Sequence, residues 1–344
     1  MLNLQEFHAY MHMNLKDVLG EEFQEAMIEM HKVNKNNGKE LNTIIVKQKD
    51  SNIAPQIYID GFFQEYQEGA DLGDILDKFA DAARGAMEAS NEVRSVTEDF
   101  KNFDSLKNKV IMVVVNTEKN QAMLSEVPHQ RREDLSIIYK VLAESNSDGI
   151  LTVTIRNEHM EYWGITEAEL EDLAIQNTNA LFPVTVQSMN EVMREMFEAE
   201  GMTEEMLDAM FTEGPANEQM YVISNKQRLN GAIAMFDQKA LSALANKIGS
   251  DLFVLPSSVH ECIVISTNMG TPEMLAEMVQ EINGSQVDLE DQLSDHVYHY
   301  DASTKKLSLA DTTMEQLQIK ASENIQSYET QNVNVESTRN RHHR

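Results

Sequence analysis

The chain contains very little cysteine, proline and tryptophan, and it is poor in basic residues. Its 344 residues include one cysteine, six prolines and one tryptophan. The single cysteine, Cys262, excludes an intrachain disulfide and a zinc site built from several cysteines of this chain. Basic residues number 28 against 57 acidic ones, which gives a net charge of −29. General binding to nucleic acid or to anionic lipid is therefore disfavoured.

Long apolar runs are also lacking. No stretch of the sequence is apolar over the length that a bilayer requires, and the N-terminus has no basic region followed by an apolar one. We therefore expect a soluble, cytoplasmic protein without a membrane partner. The hydrophobic residues, 42% of the chain, are numerous enough to build sizeable cores.

The sequence motifs of the common enzyme classes do not occur. There is no GxxxxGK[ST] phosphate loop, no GxGxxG after a strand, no GxSxG and no HExxH. His260 and Glu261 begin like the last of these, but Val264 stands where the second histidine is required. We therefore expect no cofactor, and the sequence does not decide whether the protein is an enzyme.

Short β-branched runs alternate with amphipathic helical stretches, which predicts an α+β protein with mixed, largely antiparallel sheets and flanking helices. An Asn-rich turn at 34–38 predicts a β-hairpin, and Thr166 with Glu169 predicts a helix that starts with a capping box. We expect four units: 1–100 with a helix, a hairpin and helices; 101–212, rich in strands; 213–310, an α+β unit; and 311–344, a disordered polar tail.

The segment from Asp251 to Ile265 is the most informative part of the chain. Two apolar runs, at 252–255 and 259–265, read as buried strands joined by a bend at Pro256-Ser257-Ser258. A further apolar run at 232–236 also reads as a strand. If the strand at 259–265 is buried, the His260 and Glu261 side chains need hydrogen-bonding or charged partners, because burying them unpaired costs free energy.

Candidate functional residues lie in polar groups beside these strands. His129, Asp134, His260 and Glu261 are weak catalytic or metal-ligating candidates, since imidazole and carboxylate groups serve both purposes if the fold brings them together. As candidate binding residues we take Ser257, Ser258, Arg131 and Arg132. The same residue types also close loops and pair with buried backbone groups, and no spacing among them is diagnostic.

Methionine is abundant, with 21 residues in the chain. Six of them recur at helical spacing between positions 189 and 210, in two predicted helices. Methionine most often fills irregular gaps in a core, although rows of it also form adaptable binding grooves. Core filling is therefore our prediction for these helices, with a binding groove as the alternative.

Several segments together resemble a known bacterial family. In chain order they read KNNGKEL, IAPQIYID, NTEKN, VPHQRREDLSIIY, NTNALFP, LPSSVHE and QLSDHVYHYD. The chain resembles domain-of-unknown-function family 5688, found in Gram-positive anaerobes, over about residues 1 to 310. The resemblance implies a free-standing cytosolic protein that is sometimes associated with mobile genetic elements. It assigns no activity and no catalytic residue.

Our leading functional hypothesis is a non-enzymatic factor that binds or regulates a partner protein. It rests on the acidic surface, the methionine-rich helices and the absence of a complete catalytic motif. One alternative is a metal-dependent hydrolase that uses His129, Asp134, His260 and Glu261. A second alternative is an acidic mimic of nucleic acid, which requires a continuous stripe of carboxylates.

Overall fold

The fold of the chain is α+β, with three antiparallel sheets flanked by helices. A computed structural model describes residues 1–47, 56–100, 102–146, 149–211 and 214–310. The fold class predicted from the sequence is confirmed. The polar tail predicted at 311–344 lies outside the described residues.

The N-terminal part folds around a three-stranded sheet. The strands lie in the order β1-β2-β3, and the predicted hairpin with its Asn-rich turn is confirmed. One face of the sheet packs with helices into a core that includes Phe7, Met11, Ile44 and Phe79. The elements are α1 (Leu4–Leu19), β1 (Met27–Asn34), β2 (Glu40–Lys47), β3 (Gln56–Tyr58), α2 (Asp60–Gln67) and α3 (Leu72–Asp99).

The middle part is built on a four-stranded sheet in which β6 pairs with each of the other three strands. The capping box predicted at Thr166 and Glu169 is present, and it starts the long helix α7. The elements are α4 (Phe103–Leu106), β4 (Val110–Asn116), α5 (Gln121–Leu124), β5 (His129–Arg132), β6 (Leu135–Asn146), β7 (Gly149–Thr154), α6 (Asn157–Trp163) and α7 (Glu167–Leu181).

The third part is a six-stranded antiparallel sheet in the order β13-β12-β10-β11-β9-β8. The methionine-rich helices α8 and α9 follow its edge strand β8 directly. The elements are β8 (Val184–Ser188), α8 (Met189–Ala199), α9 (Glu204–Met210), β9 (Tyr221–Asn225), α10 (Gln238–Ile248), β10 (Leu252–Leu255), β11 (Cys262–Ser266), α11 (Pro272–Ser285), β12 (Tyr298–Asp301) and β13 (Lys306–Leu309).

Two predicted strands differ from the structure. The apolar run at 232–236 forms a 3₁₀ helix, Gly231–Phe236, whose first five residues are buried. A short apolar run that is buried on all sides has no period that separates strand from helix, so the prediction was wrong. The second strand of the 251–265 segment begins at Cys262 and not at Val259, which places His260 and Glu261 in the connection between β10 and β11.

The largest core joins the second and third sheets. Val114 and Ile137 from β4 and β6 pack with Ile223, Val254 and residues of α10. The N-terminal core, by contrast, contains only residues before position 84. The division of the chain into separate folding units stays a prediction.

Removing the side-chain hydroxyl should change the stability of the fold in opposite directions at two fully buried tyrosines, Tyr139 and Tyr298. Tyr139 Oη has no hydrogen-bond partner in the described part of the chain, whereas Tyr298 Oη donates to Asp134. Burial, with smaller effects from Glu171 and Glu167, raises the pKa of Tyr139 to about 12. We expect Tyr139→Phe to stabilise the fold by about 1 kcal/mol, because it removes an unpaired buried polar group.

The matched variant Tyr298→Phe leaves the Asp134 carboxylate without that donor, and we expect a loss of about 1–3 kcal/mol. Urea unfolding of both variants, with the midpoints compared at equal slope, measures the two effects. Equal changes of the same sign in both variants would contradict this interpretation of the hydroxyl contacts.

Candidate functional site

The Pro-Ser-Ser bend at 256–258 connects β10 to β11 and is held on both sides by the backbone of other segments. The Pro256 and Ser257 carbonyls accept from the Ser294 and Leu293 amides, at 2.9 and 3.0 Å. Val259 accepts from the Ala232 amide at 3.1 Å. The bend therefore lies between the 3₁₀ helix and the segment that precedes β12, and its backbone is engaged within the fold.

His260 has a partner for each ring nitrogen. The Asn230 amide donates to Nδ1 at 3.3 Å, and Nε2 lies 3.2 Å from Asp291 Oδ1. With Nδ1 as acceptor, the hydrogen is on Nε2, which donates to the carboxylate. The Ser258 hydroxyl accepts from the His260 amide at 3.1 Å. His260 therefore has a charged partner although it lies outside the strand and its side chain is 34% exposed, and the interaction fastens the bend to Asp291.

Three asparagines, Asn37, Asn116 and Asn120, connect the three sheets by hydrogen bonds next to this bend, and we call them the asparagine ladder. Asn37, in the N-terminal hairpin turn, donates from Nδ2 to the carbonyls of Leu289 and Gln292, at 2.7 and 2.6 Å. Asn120 donates to Asn37 Oδ1 at 2.9 Å and accepts from the Asn37 amide at 3.0 Å. Asn116 Nδ2 donates to the Leu293 carbonyl at 2.9 Å. These bonds link chain segments that are up to 255 residues apart.

Of the other candidate residues, His129, Arg131 and Arg132 make local contacts, whereas Asp134 bonds to a distant segment. His129 is the first residue of β5, and its Nδ1 lies 2.9 Å from the carbonyl oxygen of Val127, which precedes the strand. Asp134 accepts from the hydroxyls of Ser294, at 2.7 Å, and Tyr298, so it ties the β5–β6 turn to β12. Arg131 Nε donates to the Glu133 carbonyl at 3.0 Å, and Arg132 donates to Gln130 Oε1 at 2.8 Å.

These contacts bear on the metal hypothesis. His129, Asp134 and His260 each bond to different groups, as given above, and Glu261 is half-buried beside His260. Among the residues that the structure describes, no group of three or more His, Cys, Asp and Glu side chains is placed to hold a metal ion. We therefore propose no metal centre from these four residues.

The methionine-rich helices present much of their apolar surface to solvent. The helices contact each other through an ion pair between Arg194 and Asp208 at 2.7 Å. Phe197 of α8 also stacks on Phe211, which directly follows α9, with ring centroids 5.9 Å apart. Core filling was the wrong prediction for four of the six methionines, because their exposed fractions are 37%, 57%, 52% and 54% for Met193, Met196, Met206 and Met210. We call these four side chains the methionine surface.

A family model matches residues 4–302, which is most of the chain. Its description is a family of unknown function, DUF5688. The chain belongs to DUF5688. No curated protein matches the chain, and no solved structure matches it either. The family resemblance found in the sequence is therefore confirmed.

No helix in the described part of this DUF5688 protein has the length and apolar character needed to cross a bilayer. The one cysteine, Cys262, is buried in β11, and burial raises the pKa of its thiol. A buried thiol of raised pKa is mostly protonated and unreactive at neutral pH. Cys262 is therefore a core residue and not a candidate nucleophile.

Sequence reasoning missed a lysine in a cleft of about 640 Å³ lined by β4, β6 and the hairpin turn. Lys140 lies on the β6 face that carries Ile138, opposite Thr154 of β7. Burial, and then the nearby charge of Lys35, lowers the pKa of Lys140. The only available signal was a single lysine inside an apolar strand, which by itself predicts nothing specific.

A larger cavity of about 1110 Å³ lies between the second and third sheets and contains the candidate binding residues Arg131 and Arg132 in its lining. The two arginines reach it from β5, a strand that the sequence analysis did not predict. Helix α7 and the 3₁₀ helix also contribute to its walls. The binding role of these two arginines stays a prediction.

Proposed function

We propose that this DUF5688 protein is a non-enzymatic binding factor of the cytoplasm, and that the methionine surface binds a basic amphipathic helix of a partner protein. The observation that carries the proposal is the exposure of Met193, Met196, Met206 and Met210 on two adjoining helices. The single, buried cysteine supports the cytoplasmic assignment, since extracellular proteins more often rely on disulfides.

The methionine surface has the properties of an adaptable apolar contact. Met193 and Met196 are three residues apart on α8, and Met206 and Met210 are four apart on α9, so each pair shares one face of its helix. Methionine side chains are flexible and polarizable, which lets one surface fit differently shaped apolar partners. Recognition of an amphipathic helix by an apolar surface is a common mode of protein binding.

The charge around the methionine surface determines what kind of helix fits. Seven acidic residues and one basic residue lie between positions 189 and 211. The basic one, Arg194, already pairs with Asp208. Exposed carboxylates remain on both helices, for example at Glu198 and Glu205. A partner helix with lysine or arginine beside its apolar face would complement this field and associate faster.

Methionine-to-glutamine variants test the proposal without changing any charge. The probe is a synthetic amphipathic helix of leucine and lysine, titrated by fluorescence anisotropy. Burying a methionine fully contributes about 1.5–3 kcal/mol, so we expect the fourfold variant M193Q/M196Q/M206Q/M210Q to bind at least tenfold more weakly, a loss of about 1.4 kcal/mol or more.

The matched control replaces four exposed methionines elsewhere, M13Q/M27Q/M274Q/M278Q, and we expect it to bind like the unaltered protein. A leucine–glutamate helix of the same length should not bind. If the fourfold variant and the unaltered protein bind the basic helix equally, attraction to the acidic surface alone explains the binding and the proposal fails.

A further inference from the structure

The cavity between the second and third sheets differs in charge from the rest of the protein. Five basic residues and three acidic ones line it, whereas the whole chain has 28 basic and 57 acidic residues. The basic residues are Arg131 and Arg132 on β5, Lys239 on α10, and Lys305 and Lys306 at the β12–β13 turn. Cations that converge from three separate elements make a local positive field in an acidic protein.

Most of these cations are available to a ligand. Lys239, Lys305 and Lys306 are exposed, and none of them forms an ion pair with any residue that the structure describes. Arg132 forms an ion pair with Glu171, with the guanidinium nitrogen 3.9 Å from the carboxylate oxygen. Asp237, another acidic residue of the lining, accepts from the Lys239 and Ala240 amides at 2.8 Å and so caps α10.

The remaining wall of the cavity is largely apolar. Met112 of β4, Ile175 of α7, Phe236 of the 3₁₀ helix and Leu307 of β13 all line it. Its volume of about 1110 Å³ is slightly above the range of roughly 300–1,000 Å³ that is usual for small-molecule sites. Apolar walls beside convergent polar groups are the usual composition of such sites.

We propose that this cavity binds a small organic anion with an apolar body, in which the carboxylate faces Arg131, Arg132 and the turn lysines. The body packs against Met112, Ile175 and Phe236. Arginine matches a carboxylate through two parallel hydrogen bonds, and the neighbouring lysines add charge without a fixed geometry. The site goes beyond the proposed partner binding, because the methionine surface contributes nothing to its lining.

Decanoate is the probe, titrated into the full-length protein by isothermal titration calorimetry below its micelle concentration. We expect saturable binding of decanoate, weaker binding of decanol, which has no charge, and no binding of citrate, which has no apolar body. The variants R131Q/R132Q and K305Q/K306Q should each weaken decanoate binding by about fivefold or more, since charged hydrogen bonds are lost.

The control K32Q/K78Q removes two exposed lysines of the N-terminal part and should leave decanoate binding unchanged. Ile175→Gln tests the apolar wall at a side chain that is itself 39% exposed, and it should weaken decanoate and decanol alike. The proposal is overturned if decanoate does not bind, if decanol binds equally well, or if both charge variants retain full affinity.

Discussion

Replacing Gly231 with alanine is expected to destabilise the protein by about 3 kcal/mol or more, because a methyl group does not fit there. A Cβ atom at this position would overlap Ser224 Oγ, and it would lie 2.5 Å from the His260 carbonyl oxygen and 2.8 Å from the Asn225 amide nitrogen. Two of these three neighbours are backbone atoms, which cannot rotate away as a side chain does.

Because of the position of Gly231, the destabilisation by an added methyl group should extend to neighbouring elements. It starts the 3₁₀ helix that packs on β9 and on the bend before β11, and the Ser224 hydroxyl donates to the same His260 carbonyl at 2.7 Å. An added methyl group therefore separates the 3₁₀ helix from the bend. The asparagine ladder and the His260–Asp291 contact lie directly beyond that bend.

Gly284→Ala is the matched control for Gly231→Ala. Gly284 lies near the end of α11, and nothing is within 4 Å of the position that its Cβ would take. Alanine is favoured over glycine inside a helix by about 0.5–1 kcal/mol, so this variant should be slightly more stable. The midpoints of urea unfolding of both variants measure these changes in stability. A Gly231→Ala midpoint equal to that of the unaltered protein would contradict the close contacts of Gly231 with Ser224, Asn225 and His260.

Asn37→Ala should also destabilise the protein by about 3 kcal/mol, through two separate effects. The first is the loss of side-chain hydrogen bonds to Leu289, Gln292 and Asn120, which leaves buried polar groups unpaired. The second comes from the backbone, because Asn37 has φ of 58°, in the left-handed region that alanine adopts less readily than asparagine.

Asn37→Gly separates the two effects, because glycine tolerates the left-handed conformation but lacks the amide group. We expect Asn37→Gly to be more stable than Asn37→Ala by about 1 kcal/mol and still less stable than the unaltered protein. A double-mutant cycle with Asn120→Ala measures the coupling across the ladder. Additive effects of the two alanine substitutions would show that the reciprocal hydrogen bonds contribute little.

The parts of the fold that the sequence predicted correctly are those with a strong local pattern. The Asn-rich turn forms the hairpin, and Thr166 with Glu169 starts α7. In each case neighbouring residues alone determine the structure. Strand β5 was missed because its sequence, HQRR, is polar and shows no alternation, and its pairing to β6 depends on the turn at Glu133.

The candidate sites are formed by contacts between residues that are far apart in the sequence, and no local sequence pattern reveals such contacts. The spacing of Met193, Met196, Met206 and Met210 indicates helices but does not reveal whether the apolar face is covered by another element. The partner of His260 is Asp291, 31 residues later, and Asn37 bonds with residues more than 250 positions away. Likewise, the cavity is lined by Arg131 of β5 and by Lys305 of the distant β12–β13 turn.

The central claim is that the methionine surface holds a basic amphipathic helix, and site-specific photo-cross-linking in cells that make the protein tests it most directly. A photoreactive amino acid is placed at Met196 or Met206, and at Met13 of α1 as the control. We predict one discrete cross-linked protein from the first two positions, with the linked peptide lying in a helix rich in lysine or arginine. Cross-links identical to those from Met13, or to a peptide without such a helix, would contradict the claim.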